Sequence, residues 1–392
     1  ASVGDVLSFS YVGLKTQEIT VTGANVIDVA LVEDTALEEV VVIGYGTQSK
    51  RKLTDNIVSA TSEDLKGIPT PNLFAGLAGK LVGVQMNQQN GKVEAGLNVV
   101  IRGQGSITAG SEPLYVLDGV ILANPDLSSN GAPTNPLITL SPSEIKSIDI
   151  LKDASAAAIY GSRGANGVVI ITTKGGRIGK ARFSVNIANG VSTASNTREW
   201  LNAAQYVEFF TEATENSGGS LSSLENTFDG LSNGTDWRNL AVDTDWTDLA
   251  LVDGYTREAD FSVGGGDEKT SYFFSGAYND TKGIVRGNEL ERISARTNIT
   301  HQFSDKLNMG MNLSFSRVIN DRISNDNAFV TPLQAIAQAP ISPAFNEDGS
   351  AFTTTLLFAP LYDNFLAHQQ NSYYRTQIRR VLGKVFAEYA FI

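Results

Sequence analysis

The sequence predicts a membrane β-barrel of antiparallel strands, incomplete in this chain. An α+β unit precedes it, and the tail of a small β-sandwich precedes that. Three observations carry this reading. After about residue 177, apolar and polar residues alternate with period two over stretches of about ten residues, the length of a tilted strand crossing a bilayer. The links between these stretches alternate short and long, as in up-and-down membrane barrels. Residues 63–176 instead mix short helices and strands in the order α-β-β-α-β-α-β, a pattern that suits one compact unit.

The totals set bounds. At 392 residues there is room for a large barrel and an accessory domain. Lys+Arg number 30 against Asp+Glu 42, a formal charge of −12. Such a chain is poorly suited to tracking phosphates, so nucleic acid is set aside as a partner. Gly at 37 and Pro at 11 fit a turn-rich β protein. Without cysteine there is no disulfide, no Cys-ligated zinc and no thiol chemistry, and only 2 histidines leave little for metal or triad chemistry. No metal or cofactor is expected. No run of about eighteen apolar residues forms a transmembrane helix, and no signal peptide is visible. Both ends fall inside β patterns, "ASVGDVLSFSYV" and "GKVFAEYAFI", and both read as cuts.

Residues 1–33 read as short strands: an alternating one around Val6 to Tyr11, then Ile19 to Val21 and Val26 to Val32. Residues 34–62 form a connector. It holds four consecutive β-formers, Val40, Val41, Val42 and Ile43, with Glu38 and Glu39 before them, Gly44 after them and Lys50-Arg51-Lys52 beyond. Polar, irregular sequence is expected from there to about Asp64. The segment reads as a strand without a partner, its short length and flanking charge guarding an open edge.

In residues 63–176, "NLFAGLAGKL" (Asn72 to Leu81) carries helical spacing behind a capping residue. "VVIRG" and "LYVLDGVIL" are strands, with Asp118-Gly119 a tight turn. "SPSEIKSI" offers Ser141 as N-cap, Pro142 at the first helical position and Glu144 three residues on. "SIDILK" is a strand. Asp153 then caps a helix, "ASAAAIYG", that Gly161 ends, and "GVVIITT" closes the unit. The predicted core is Leu65, Leu73, Leu77, Val84, Val99, Ile101, Leu114, Val116, Ile148, Ile150, Ile159, Val169 and Ile171.

From 177 onward six strands are predicted, near 183–192, 255–263, 270–280, 291–303, 307–318 and 380–392. In "ISARTNITHQF", Ile293, Ala295, Thr297, Ile299, His301 and Phe303 share one face, and Ser294, Arg296, Asn298, Thr300 and Gln302 the other. Tyr255, Tyr278, Phe303 and Phe315 stand near strand ends, where aromatic girdles form. The long loops, about 194–254 and 319–379, hold Trp200, Trp237, Trp246, Tyr362, Tyr373 and Tyr374. Such aromatics stack on sugars, line a peptide path, or pack one loop against its neighbour.

Catalysis finds no support. Gly161-Ser162-Arg163-Gly164 resembles a phosphate loop but lacks the P-loop lysine and the glycine spacing. His301 falls in a strand and His368 in a loop, so no nucleophile, base and orienter converge. Asp243 and Asp245 form a carboxylate pair on a loop that is acidic throughout. A surface adhesin or binding module is the alternative reading. It accounts for strands and loops, and heat-modifiable gel migration after detergent extraction separates the two.

The segments resemble the SusC-like branch of TonB-dependent outer-membrane transporters. "LEEVVVIGYGTQSKRKLTDNI" is similar to that family's energy-coupling box and the start of its plug. "IRG", "PLYVLDGV" and above all "SIDILKDASAAAIYGSRGANGVVIITTKGG" are similar to its plug signature. "TDW", "YFFSGAYNDTKGIV" and "RISARTNI" resemble its early barrel strands, and residues 1–33 the end of a carboxypeptidase-regulatory-like domain.

The resemblance implies a TonB box at Glu38 to Gly44, a plug at 63–176 and the first part of a barrel of 22 strands at 177–392. Arg102, Gly103, Asp118, Gly119, Lys152, Asp153, Tyr160, Gly161, Arg163 and Gly164 would be structural or gating residues of the plug. Arg163 is expected to meet carboxylates or carbonyls at the barrel wall. The implied partners are TonB, a SusD-like lipoprotein lid, membrane lipid and an oligosaccharide or peptide substrate. The implied location is the outer membrane.

Overall fold

The computed structural model describes residues 5–9, 17–22, 29, 40–43, 46–49, 57–64, 75–88, 91–94, 97–103, 112–122, 137–153, 157–195, 197–232, 236–323, 335, 337–353 and 364–391. β1 (Val6–Phe9) and β2 (Gln17–Thr20) pair as an antiparallel hairpin. The strand expected at 26–32 lies almost wholly outside the described residues. β3 (Val40–Ile43) is not without a partner. It pairs antiparallel with β4 (Gly46–Ser49), Val40 opposite Ser49 and Ile43 opposite Gly46. "GTQS" has little β propensity, which hid it, but the backbone ladder of a tight hairpin does not need propensity. Among the described residues β3 and β4 form a two-stranded sheet, and no other strand pairs with the second edge of β3. Glu38, Glu39, Gly44 and Lys50 to Lys52 lie outside the described residues.

The α+β unit is built on a five-stranded sheet of order β5-β10-β11-β8-β9. Its strands are β5 (Ile57–Thr61), β8 (Leu114–Leu117), β9 (Val120–Ile121), β10 (Ile145–Leu151) and β11 (Val168–Thr173). Only β11 and β8 pair in parallel. A separate hairpin joins β6 (Val84–Gln88) to β7 (Leu97–Ile101). β5 precedes residue 63, so the sheet takes in residues first assigned to the connector.

Both faces of this sheet are covered, which explains the unbroken apolar run of β11. Val169 and Ile171 join Leu77, Val99, Ile101, Ile148 and Ile150 on one side, with Val84 packed against them. Val168 and Ile170 join Val116 on the other, with Leu114 packed against that cluster. Leu65 and Leu73 lie outside the described residues. Ile159 is a correction: it is 50 % exposed.

Its helix is a correction too. Of the expected helix, 154–156 lie outside the described residues and Ala157 is α-helical, its amide on the Asp153 carbonyl. Ala158–Gly164 is 3₁₀, kinked at Gly161 (φ 61°, ψ −149°), a tighter winding than the α-helix expected. "SPSEIKSI" likewise holds one 3₁₀ turn, Pro142–Glu144, whose Ser141 makes no side-chain cap bond. β10 begins at once, because Ile145, Ile148 and Ile150 are β-branched and buried. Within 72–81 the described helical part is the 3₁₀ turn Ala75–Leu77.

Gly167 is a tight point. Its φ is 92°, and a Cβ there would stand 2.6 Å from Ile101 Cδ1 and 3.1 Å from the Leu151 carbonyl oxygen. Gly167→Ala should destabilise the unit by about 1–3 kcal/mol, read as a lowered urea midpoint with unchanged slope.

Six strands follow in one antiparallel sheet whose spatial order is the chain order. They are β12 (Gly179–Ser192), β13 (Gly254–Gly266), β14 (Thr270–Lys282), β15 (Glu289–Ser304), β16 (Leu307–Arg322) and β17 (Tyr374–Tyr389). The sequence reading began β17 late, because Arg375, Gln377 and Arg379 blur its apolar rhythm. Short turns at Asp267–Lys269 and Asp305–Lys306 close one end. Asp267 accepts from Thr270 N at 2.6 Å and Lys269 N at 2.9 Å, and these amides hold its carboxyl below the usual range.

The outer face carries an apolar band across the sheet, which gives way to Asp280, Glu291, Arg317 and Arg379 toward the long-loop end. One row runs Val185, Phe261, Gly276, Ala295, Phe315, Val381 through successive pairings. Its large members are exposed, as are Phe183, Ile187, Phe274, Met311 and Leu313. Phe315 therefore sits in mid-band rather than in a girdle, while Phe303, Tyr389 and Phe391 stand exposed at the short-turn end. A water-facing apolar sheet of this extent with two open edges is one soluble proteins avoid. Residues 177–392 expressed alone should aggregate without detergent. A soluble fragment that unfolds cooperatively would restore the sandwich reading.

The long loops are structured. α1 (Ala203–Asn216) starts at a capping box of Asn202 and Gln205, and α2 (Leu221–Leu231) starts at Ser220. α3 (Trp246–Ala250) is capped by Asp245, and α4 (Phe365–Asn371) by Asn364. His368 thus lies on a helix, not in a loop, and Asp243 is taken by the Ala203 amide at 2.9 Å. Trp237 and Trp246 are buried, so for these two the packing reading holds. Trp237 joins Phe228 and Ile341, and Trp246 joins Ala351 and Phe365. Each cluster draws on both loops.

Candidate functional site

The α+β unit lies against the inner, polar face of the six-stranded sheet. Alternation on β15 places Leu290, Arg292, Ser294, Arg296 and Asn298 on that face, all buried. Arg296 Nη1 donates to Asp118 Oδ2 at 2.9 Å, and its Nε stands 3.5 Å from Glu144 Oε2. Ser294 donates to Glu144 Oε1 at 2.8 Å. Asn298 Nδ2 donates to the Lys174 carbonyl at 2.6 Å, and Arg292 Nη1 to the Ile138 carbonyl at 3.2 Å.

Asp118 is the hub. It sits in the β8–β9 turn at φ 49°, followed by Gly119 at φ 84°, both in the left-handed region that such a two-residue hairpin turn requires. Its carboxylate also accepts from Thr173 N at 2.9 Å and Thr173 Oγ1 at 2.8 Å. From β17, Lys384 Nζ donates to the Asp118 carbonyl at 3.2 Å, and Leu382 packs into the unit's core.

A second contact lies nearer the long-loop end. Glu94 is 2 % exposed. It accepts from Asn288 Nδ2 at 2.6 Å and Arg322 Nε at 3.3 Å, while Val93 N donates to Asn288 Oδ1 at 2.8 Å. The seam is therefore largely ionic and hydrogen-bonded. Its polar contacts set register, and an apolar patch where Ile138 and Val93 pack with Leu290, Val318 and Ile378 crosses it as well. A polar cavity of about 710 Å³ borders it, lined among others by Ser143, Lys174, Glu258, Asn279 and Arg292.

Residues 49–168 match the family model described as the TonB-dependent Receptor Plug Domain. A TonB-dependent receptor of Formosa agariphila is 35% identical over 393 residues, covering 100% of this chain and 37% of its own length. The TonB-dependent receptor SusC of Bacteroides thetaiotaomicron is 34% identical over 357 residues, covering 90% of this chain and 33% of its own length. The chain belongs to the SusC-like TonB-dependent receptors. It spans about a third of the length of these curated relatives. Among solved structures, the RagAB peptide importer in its open-open state matches with a TM-score of 0.71 at 25% identity. That match covers 90% of this chain and 41% of the other. The α+β unit is the plug of such a receptor, and the six strands are an open arc of barrel wall.

The remaining singled-out plug residues gather at a place apart from this receptor's ionic seam. Arg102 (φ 61°) pairs with the Asp153 carboxylate, and Gly103 follows at φ 98°. Lys152 Nζ donates to the Val82 carbonyl at 3.1 Å. Asp153 also accepts the Ala157 amide on its backbone carbonyl at 3.0 Å. Tyr160 packs on the cluster of Val116 and Val168. Gly164 is buried where a Cβ would stand 2.9 Å from the Ala157 carbonyl oxygen. Arg163 is exposed, and among the described residues it forms no ion pair. The cation expected at the wall is Arg296 instead.

Sequence reasoning missed Glu94, Glu144 and Arg296 as wall contacts. Arg296 was legible only as one of the polar residues on β15. Glu144 was absorbed into a capping pattern. A glutamate standing directly before a mostly buried strand was the available signal.

Proposed function

We propose that the receptor imports a bulky nutrient, an oligosaccharide or a peptide, across the outer membrane in a TonB-dependent step. The observation that carries this is the hydrogen-bonded, ionic seam between plug and barrel wall, with a short strand before the plug whose second edge is unpaired among the described residues. In this reading Glu38 to Gly44 are the TonB box. TonB adds a strand to the free edge of β3, where backbone bonds give affinity with little demand on side chains. Pulling there loosens the plug and exposes the polar path beside the seam. Residues 1–33 serve as the end of the small β-sandwich domain, and Arg102 to Gly164 of the signature set hold the plug's shape.

Similarity to the RagAB peptide importer supports the peptide class, and the SusC-like resemblance implies the oligosaccharide class and a SusD-like lipoprotein as the lid over the long loops. The receptor has no catalytic role in this reading. The test begins with location. The full-length protein should fractionate with outer membranes, require detergent and migrate heat-modifiably. Recovery as a soluble monomer would falsify the proposal.

A further inference from the structure

At the long-loop end of the wall, a cavity of about 350 Å³ opens between the strand ends and α4. Its lining includes Arg286, Arg322, Arg375, Asp321, Tyr373 and Tyr374. Asp321 and Arg375 neutralise one another through two bonds, Nε at 2.6 Å and Nη2 at 2.9 Å. Arg322 is balanced from behind by the plug's Glu94, at 3.3 Å. The Arg286 side chain donates to the Leu249 backbone carbonyl at 2.7 Å, and among the described residues it forms no ion pair. One guanidinium charge is left over in a half-enclosed space. Tyr373, 89 % exposed, stands at the mouth as an unpacked ring.

Resting on the import reading above, we infer that this cavity receives an anionic group, a carboxylate, of the imported molecule. Arg286 is its counter-ion and Tyr373 the ring against which the rest of the ligand lies. Arg322 touches both the cavity and Glu94, so an anion in the cavity draws on the same guanidinium that holds plug residues 91–94. Binding is thereby linked to the plug's hold on the wall. Guanidinium suits this role because it stays charged and offers several donors in one plane.

The experiment uses the full-length receptor in detergent and two probe pairs, followed by calorimetry. One pair is tetragalacturonate against maltotetraose, the other an acidic against a neutral hexapeptide of equal length. The anionic member of at least one pair should bind at least about tenfold tighter, and the pair that discriminates identifies the source of the anion. Arg286→Gln should remove that preference without weakening the neutral probe, and Arg286→Lys should restore part of it. Amide exchange at residues 91–103 should quicken with the anionic probe bound. Equal binding within both pairs, no binding of either anion, or an unchanged preference in Arg286→Gln overturns the inference. Charge-selective binding without TonB-dependent uptake leaves the cavity standing and removes the import reading. Uptake indifferent to Arg286→Gln does the reverse.

Discussion

Arg296→Leu should loosen the plug from the wall by about 3–5 kcal/mol, because it leaves two carboxylates of a buried seam without their guanidinium. Asp118 and Glu144 both face Arg296. Glu144 is itself 2 % exposed, so water cannot replace the lost guanidinium without opening the interface. In cells the expected result is a leaky receptor, seen as sensitivity to a large antibiotic normally kept out. In detergent, amides of β8 to β10 should exchange faster while the strands of the wall do not. Adding Glu144→Gln to Arg296→Leu should recover part of the loss, since one stranded charge disappears. If the single variant were as tight and as impermeable as the parent, the seam would not be what seats the plug.

Val41→Pro should abolish uptake almost completely while surface abundance and ligand binding persist. Proline removes a backbone donor and cannot continue a ladder. Val41 lies opposite Gln48 in the β3–β4 hairpin, so the substitution strikes the hairpin as well as any strand added to its far edge. A companion variant separates these effects. Gln48→Pro strikes the same hairpin pair from β4 but leaves the backbone of β3 itself unchanged, and should reduce uptake less. Equal losses in the two would mean that the hairpin, not the free edge of β3, is what coupling requires.

The wall was the most legible part of the fold. Residues such as Ile293, Ala295 and Thr297 alternate with Ser294, Arg296 and Asn298, because one face meets lipid and the other a polar plug, and a period of two survives in sequence. The plug's strands were legible for the opposite reason: "VVII" is buried on both faces. Its helices were misjudged. "SPSEIKSI" and "DASAAAIYG" carry good local signals, yet Ile145 to Leu151 and the close approach at Gly164 override them, and local propensity records neither. The ionic seam was hidden for a related reason. Asp118, Glu144 and Arg296 are far apart in sequence and meet only when the plug is seated, so no spacing reveals them. The loop tryptophans were ambiguous for want of partners: what buries Trp246 is Ala339 and Phe365 from the other loop.

That last pairing has a mechanical consequence. The two loops leave the wall at β12–β13 and β16–β17, and their helices are knitted into shared clusters. They act as a strut from one side of the arc to the other. Trp246 forms part of its keystone, with its indole N–H on the Ala339 carbonyl at 3.0 Å. A rim braced in this way cannot splay strand by strand. The strands between its feet keep a fixed chord, and any widening of the arc must be taken up outside them.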